Sequence, residues 1–261
     1  MLTDKVIVAT ITHQRSGSKW FGSILRSGLS IGSLGEIFNP DDTSLLSFRA
    51  YVQNIGFDKI VRKNQYEVLD DYFNGIGVFF GKIFNFDIMF NQMDWMTLGW
   101  NGNTKFIYEY LRSRNAVVIA LVRNPVDIFC SVKALDISKR PHVSELDSDQ
   151  RGSIGIAYQQ LEGQKVSLSM EEFYKFRENL NENWQSVRKY FDGHHGFVEI
   201  CYEDLINNVD LTSIIEKITA CGRYVKLFEN GIISAFPRLL KVSDDYERIF
   251  DNIDDLRSLK Y

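Results

Sequence analysis

Several things are scarce in this chain, and each scarcity excludes a class of protein. Three cysteines, Cys130, Cys201 and Cys221, are spread widely over 261 residues and sit in apolar surroundings. An odd, scattered set of this kind suits buried thiols, not a disulfide framework or a cysteine metal cluster. Only four prolines occur, and no low-complexity tract, internal repeat or composition-marked linker interrupts the sequence. No apolar run approaches the length that spans a bilayer, and the first residues lack the apolar core of a signal peptide, so no transmembrane segment is expected. A reducing, cytoplasmic setting follows from these features, although a lumenal catalytic fragment would also fit. An excess of positive charge is missing too, since the net charge is −4. Wholesale binding to nucleic acid needs a basic face and is therefore not expected. Any anion site must be a local concentration of lysine, arginine and backbone N–H groups.

What remains is an ordinary globular composition, 44% apolar and 25% charged. Runs of strand length and β-branched or aromatic content lie at Val6–Ile11, Val78–Phe84, Ala116–Val122 and Phe197–Tyr202, with a short return segment at Ile31–Leu34. Helical patterns fall between them, at Trp20–Leu29, Leu45–Ile55, Val126–Leu135, Met170–Phe191 and Leu211–Cys221. Strands alternating with helices predict an α/β fold with a central, mainly parallel sheet covered on both faces. One domain over residues 1–261 is expected. Within it, residues 136–196 hold a polar, loop-rich insertion that reads as a lid or acceptor-facing flap, followed by the long helix. The mixed charges of that helix describe a solvated face.

The most informative stretch is the first. The apolar run Val6–Ile11 breaks into Thr12-His-Gln-Arg-Ser-Gly-Ser-Lys-Trp20, and a helical pattern begins at once. Strand, glycine-containing polar turn and helix aim unpaired backbone N–H groups and the positive helix end at an anion. Arg15 can fork onto two oxygens, and Ser16, Gly17, Ser18 and Lys19 supply hydroxyl, amide and ammonium donors. The second informative stretch is Val117–Val122 followed by Arg123-Asn-Pro-Val-Asp127 and Ser131. Pro125 suits the first helical position and Asn124 the N-cap. Arg123 then stands at the carboxyl end of a strand, where open α/β sheets bind ligands, with Ser131 about two helical turns further on.

Gln14-Arg-Ser-Gly-Ser-Lys-Trp20 resembles the 5′-phosphosulfate loop of sulfotransferases that use 3′-phosphoadenosine 5′-phosphosulfate (PAPS), and Arg123-Asn-Pro-Val-Asp127 with Ser131 resembles their 3′-phosphate motif. With Gly35-Glu36-Ile-Phe38 following, the resemblance is greatest to the bacterial trehalose and nodulation-factor carbohydrate sulfotransferases. Val78-Phe-Phe-Gly-Lys82-Ile and Cys201-Tyr-Glu-Asp-Leu205 are similar to further recurring segments of that family. The resemblance implies a P-loop-like sulfotransferase fold, PAPS as sulfuryl donor, and a carbohydrate-containing hydroxyl acceptor such as a glycan or glycolipid. It implies Glu36 as the base that deprotonates the acceptor. Lys19 stands where threonine or serine is common in the family.

The reaction class explains why such residues are needed. A sulfuryl group moves in line from a phosphate oxygen to a hydroxyl, so charge grows on the leaving phosphate. A fixed donor placed there is worth roughly 3 kcal/mol. Lys82 is a candidate for the bridging oxygen, and a surface lysine in the alternative. His13 abuts the loop and is the rival base. Trp20 and Phe38 offer rings for adenine or sugar, Trp20 at core spacing; Trp95 and Trp100 are acceptor candidates, as is His142. Arg238 and Lys241 are candidates for C-terminal nucleotide contacts. His194 and His195 are adjacent and do not face the same way, and no metal site is expected. A homodimer is allowed for.

Two other readings compete. A P-loop kinase or NTPase needs a hydroxyl directly after its lysine for magnesium, and Lys19 is followed by Trp20. A non-catalytic PAPS- or 3′,5′-ADP-binding protein of the same fold would have lost the reacting groups, yet Arg15, Ser18, Glu36, Arg123 and Ser131 are all retained.

Overall fold

In the computed structural model the described residues are 6–61, 63–80, 83–93, 105–139, 157, 159–207, 212–214, 216 and 245–259. They fall into two compact units, Met1–Val122 with Val187–Pro237, and Arg123–Ser186 with Arg238–Tyr261.

The first unit is built on a five-stranded, all-parallel sheet. Its strands are β1 (Val6–Thr12), β2 (Gly32–Ser33), β3 (Ile83–Met89), β4 (Val117–Val122) and β5 (Phe197–Cys201). The spatial order is β2-β3-β1-β4-β5. β1 is central, paired with β3 from Val6↔Ile83 to Thr12↔Met89 and with β4 from Val8↔Val117 to Ile11↔Ala120. The chain fills one side of β1 before crossing to the other, which makes the carboxyl end of β1 the topological switch point where open α/β sheets bind ligands.

Side chains alternate across each strand. Val6, Val8, Val117, Ile119 and Leu121 share one core with Phe21, Ile24 and Leu25 of helix α1 (Ser18–Leu29). α1 lies close enough to β2 that a Cβ on Gly22 would stand 2.4 Å from Ser33 Oγ. The alternate residues of β3, Phe84 and Phe86, stack on Phe73 of helix α4 (Gln65–Phe80), with ring centroids 5.8 and 5.0 Å away. Phe38 meets Phe86, Phe73 and Phe48 in the same aromatic cluster. Between β2 and α4 lie α2 (Phe48–Ile55), capped by Ser47, and the short α3 (Phe57–Val61). Helix α5 (Phe106–Ser113) leads into β4 and is tied to α4 by the fork of Arg114 on Asp70, at 2.9 and 2.6 Å, with Tyr110 donating to the same carboxylate.

The second unit has its own core. Helix α6 (Pro125–Ser138) supplies Val126, Phe129, Cys130 and Ala134. They pack with Leu168, Phe173, Tyr246, Phe250 and Leu256. Asn124 caps α6 by accepting from the Val126 N–H at 2.9 Å, and Pro125 takes the first helical position, as the sequence predicts. Val166 bridges Phe250 in parallel, and Asn252 exchanges hydrogen bonds with the Leu168 backbone at 2.8 and 2.9 Å. Helix α7 spans Met170–Phe191 as expected, its residues to Ser186 in this unit and the rest in the first. The first unit continues with α8 (Tyr202–Asn207), and the second ends with α9 (Ile253–Arg257).

The fold is therefore α/β with a parallel central sheet and flanking helices, but one strand is shifted. The run Val78–Phe84 does not form β3: α4 continues to Phe80, leaving Val78 and Phe79 exposed, and the strand starts at Ile83. The buried polar residues Asn85 and Asp87 break the apolar run that would have marked the true strand. Residues 140–156 of the expected insertion, and most of the expected helix Leu211–Cys221, lie outside the described residues. Among the described residues no helix is long and apolar enough to cross a membrane.

Candidate functional site

The carboxyl end of β1 turns at residues 13–17 into α1, and the turn is wound tightly. Arg15 and Gly17 both take left-handed backbone, at φ 68° and 84°. A Cβ at Gly17 would lie 2.2 Å from the ring of Tyr202, which closes one side of the turn, so any other residue would displace the ring or the turn. Tyr202 in turn meets Trp20 edge-on, with centroids 5.5 Å apart. The turn is thus clamped from behind, and α1 presents its first N–H groups and positive end there. No side chain caps α1, whose N-cap is Gly17 itself. Ser16 is 1% exposed, and its buried Oγ makes no hydrogen bond with any described residue. A buried hydroxyl left in that state costs free energy unless a ligand satisfies it.

Beside the turn stands a polar cluster that the sequence conceals. Asp87, opposite Thr10 in the sheet register, is 1% exposed. Its carboxylate is hydrogen-bonded by Ser18 of α1 and by Asn85 Nδ2 at 3.4 Å, and it feels the charges of Glu36 and Lys19. Burial, then the Glu36 charge, push its carboxyl up to about 7. Thr10 donates to Asn85 Oδ1 at 2.7 Å, and Thr12 to the Leu121 carbonyl at 2.7 Å, fixing β1 to both neighbours at the end that carries the turn.

Glu36 follows β2. The Asp87 N–H donates to the Gly35 carbonyl at 2.8 Å, which binds the Gly35-Glu36 backbone to the end of β3. Gln92 Nε2 donates to Glu36 Oε2 at 2.8 Å, and Asn39 Nδ2 reaches the same oxygen at 3.4 Å. The structure thus brings Ser18, Lys19, Glu36 and Asp87 into one electrostatic group at the mouth of β1. His13 is half-buried, with Nδ1–H donating to the Gln14 carbonyl at 2.7 Å; burial lowers its pKa and favours the neutral ring.

The second predicted motif lies in the second unit. Arg123 has Asp127 4.0 Å away, and Ser131 is hydrogen-bonded to the buried phenol of Tyr246. Tyr246 also donates to the Asp127 carbonyl at 3.2 Å and feels the Arg123 charge, while burial pushes its phenol up to about 12. Tyr246 thus holds Ser131 by a hydrogen bond and lies within the field of the Arg123 charge.

The other candidate residues take the following places. Phe38 is fully buried in the aromatic cluster and offers no ring face to a ligand. Trp20 packs against the α1 core, as its helical spacing suggests. His194 is a buried structural histidine whose Nε2 donates to the Ala116 carbonyl at 2.8 Å. Lys82, Trp95, Trp100, His142, Arg238 and Lys241 lie outside the described residues. Asp87, Gln92, Tyr202 and Tyr246 are the site residues that sequence reasoning missed. Tyr202 alone carried a signal, within the Cys201–Leu205 segment. No group of three metal-ligating side chains occurs among the described residues. In comparison with known proteins, no family model and no curated relative matches the chain.

Proposed function

We propose that the protein is a PAPS-dependent sulfotransferase that moves a sulfuryl group to a hydroxyl of a carbohydrate-containing acceptor. The observation that carries the reading is the clamped turn at the switch point: an uncapped helix start, a buried Ser16 hydroxyl without a hydrogen-bond partner among the described residues, and the Glu36 carboxylate electrostatically joined to the same cluster. These groups suit the two ends of the reacting bond, with donors for a leaving phosphate on one side and a carboxylate for the incoming hydroxyl on the other.

In this reading the 5′-phosphosulfate lies on the turn, held by Arg15, Ser16, Ser18, Lys19 and the Gly17 amide. The sequence resemblance implies Arg123 and Ser131 for the 3′-phosphate, while Lys82 is a candidate for the bridging oxygen and Arg238 and Lys241 are candidates for further nucleotide contacts. The acceptor oxygen attacks sulfur as the S–O bond to the phosphate breaks, and 3′,5′-ADP departs. Glu36 takes the hydroxyl proton on Oε1, its Oε2 being held by Gln92 and Asn39. The scheme uses only side-chain and amide donors, and activity in EDTA is the expected outcome. The carbohydrate character of the acceptor rests on the sequence resemblance alone.

The test is transfer of radiolabelled sulfuryl from PAPS to a panel of sugar hydroxyls. Arg15→Ala should lose most turnover. Glu36→Gln should lose turnover by about a hundredfold or more while still binding 3′,5′-ADP, as removal of a general base does. Full turnover in Glu36→Gln would move the base to His13.

A further inference from the structure

The turn's anion would sit near a carboxyl group that the sulfuryl-transfer scheme does not use. Asp87 is buried against the first turn of α1, and an anion held by that turn adds negative charge beside it. The cluster is also rich in acceptors and poor in donors. Asp87 Oδ2 and Gln92 Oε1 are both buried without a hydrogen bond from any described residue, and Glu36 adds two carboxylate oxygens. Against them stand the Ser18 hydroxyl, the exposed Lys19 ammonium and the amide groups of Asn85, Gln92 and Asn39. One more proton would supply the missing donor and remove one of two neighbouring negative charges.

We propose that Asp87 is a positioning residue that takes up a proton from solvent when the turn takes up an anion. The O–H bond forms on the Asp87 carboxylate, so that a neutral carboxyl, hydrogen-bonded to Ser18, faces the bound oxyanion. The charged and titratable groups facing Asp87 are Glu36, which favours the protonated form, and Lys19 on α1, which opposes it; Ser18 and Asn85 hold it in place. The inference rests on the anion-binding reading of the turn and adds a proton linkage to it.

The sign follows from the proton balance. The complex holds one more proton than the free protein above the free-state value of about 7. Affinity is therefore highest at low pH and falls as pH rises, by about tenfold per pH unit. Sulfate is the cleanest probe because it does not itself titrate in this range, and 3′,5′-ADP is the second. Calorimetry across neutral pH should show this fall for wild type with both probes. Asp87→Asn should bind sulfate with a flat profile and more tightly than wild type on the alkaline side. An unchanged slope in Asp87→Asn overturns the proposal. Infrared difference spectra of wild type, which need no variant to fold, should gain a protonated-carboxyl band when sulfate is added at mildly alkaline pH; no such band overturns the proposal. Sulfate binding with this slope, but without 3′,5′-ADP binding, would sink the sulfotransferase reading and leave the proton linkage standing. Failure of both probes to bind overturns both.

Discussion

Gly17 is held to glycine by two separate constraints, its left-handed backbone and the Tyr202 ring lying where a Cβ would go. The first costs an L-residue about 1 kcal/mol, and the second forces either the ring or the turn to move. Gly17→Ala should therefore lower Tm and weaken sulfate binding together, read by thermal denaturation with and without sulfate. A variant with unchanged Tm and unchanged sulfate affinity would show that the turn is not set by this contact. At this scale the sequence showed the donors but not what they lean on. Arg15, Ser16 and Ser18 advertise themselves because they crowd a short polar turn. Asp87 does not, since one acidic residue in an apolar stretch looks the same whether it caps an element or is buried within a sheet. Its partners come from residues 18, 36 and 85, contacts that only the folded chain creates.

Elements were legible where one physical rule dominated. β1 and β4 read directly as continuous apolar runs because both their faces are covered. β3 was displaced by several residues because Asn85 and Asp87 interrupt it, so the side chains that build the site are the ones that hid the strand. The apolar Val78 and Phe79 then drew the strand back into the end of α4. α6 was legible from its start, since Asn124 suits the N-cap and Pro125 the first helical position. Asn124→Ala removes the hydrogen bond to the Val126 N–H and should cost about 1 kcal/mol of stability. The check is denaturant unfolding against wild type. A loss under a few tenths of a kcal/mol would show that the cap contributes little, and that Pro125 alone starts the helix.

Across the whole molecule, the 34 acidic and 30 basic side chains leave no net attraction for anions at long range. Recognition of an anion must then come from short-range donors at particular places, because exposed charges are screened within about 10 Å at moderate salt. The order β2-β3-β1-β4-β5 supplies such a place by putting the Arg15–Ser18 turn at the switch point of the sheet. That order was not legible in the sequence: alternating strands and helices predict a parallel sheet, but not which strand lies at its centre. The division into two units was equally hidden, since no proline- or glycine-rich linker marks Arg123 or Ser186. A thermal-shift series with 3′,5′-ADP, ATP, AMP and NADP, run on wild type and Arg15→Ala, asks the central question most directly. A rise in Tm that is selective for 3′,5′-ADP and lost in Arg15→Ala is predicted. Equal rises with ATP and 3′,5′-ADP, or a 3′,5′-ADP response that survives Arg15→Ala, would contradict it.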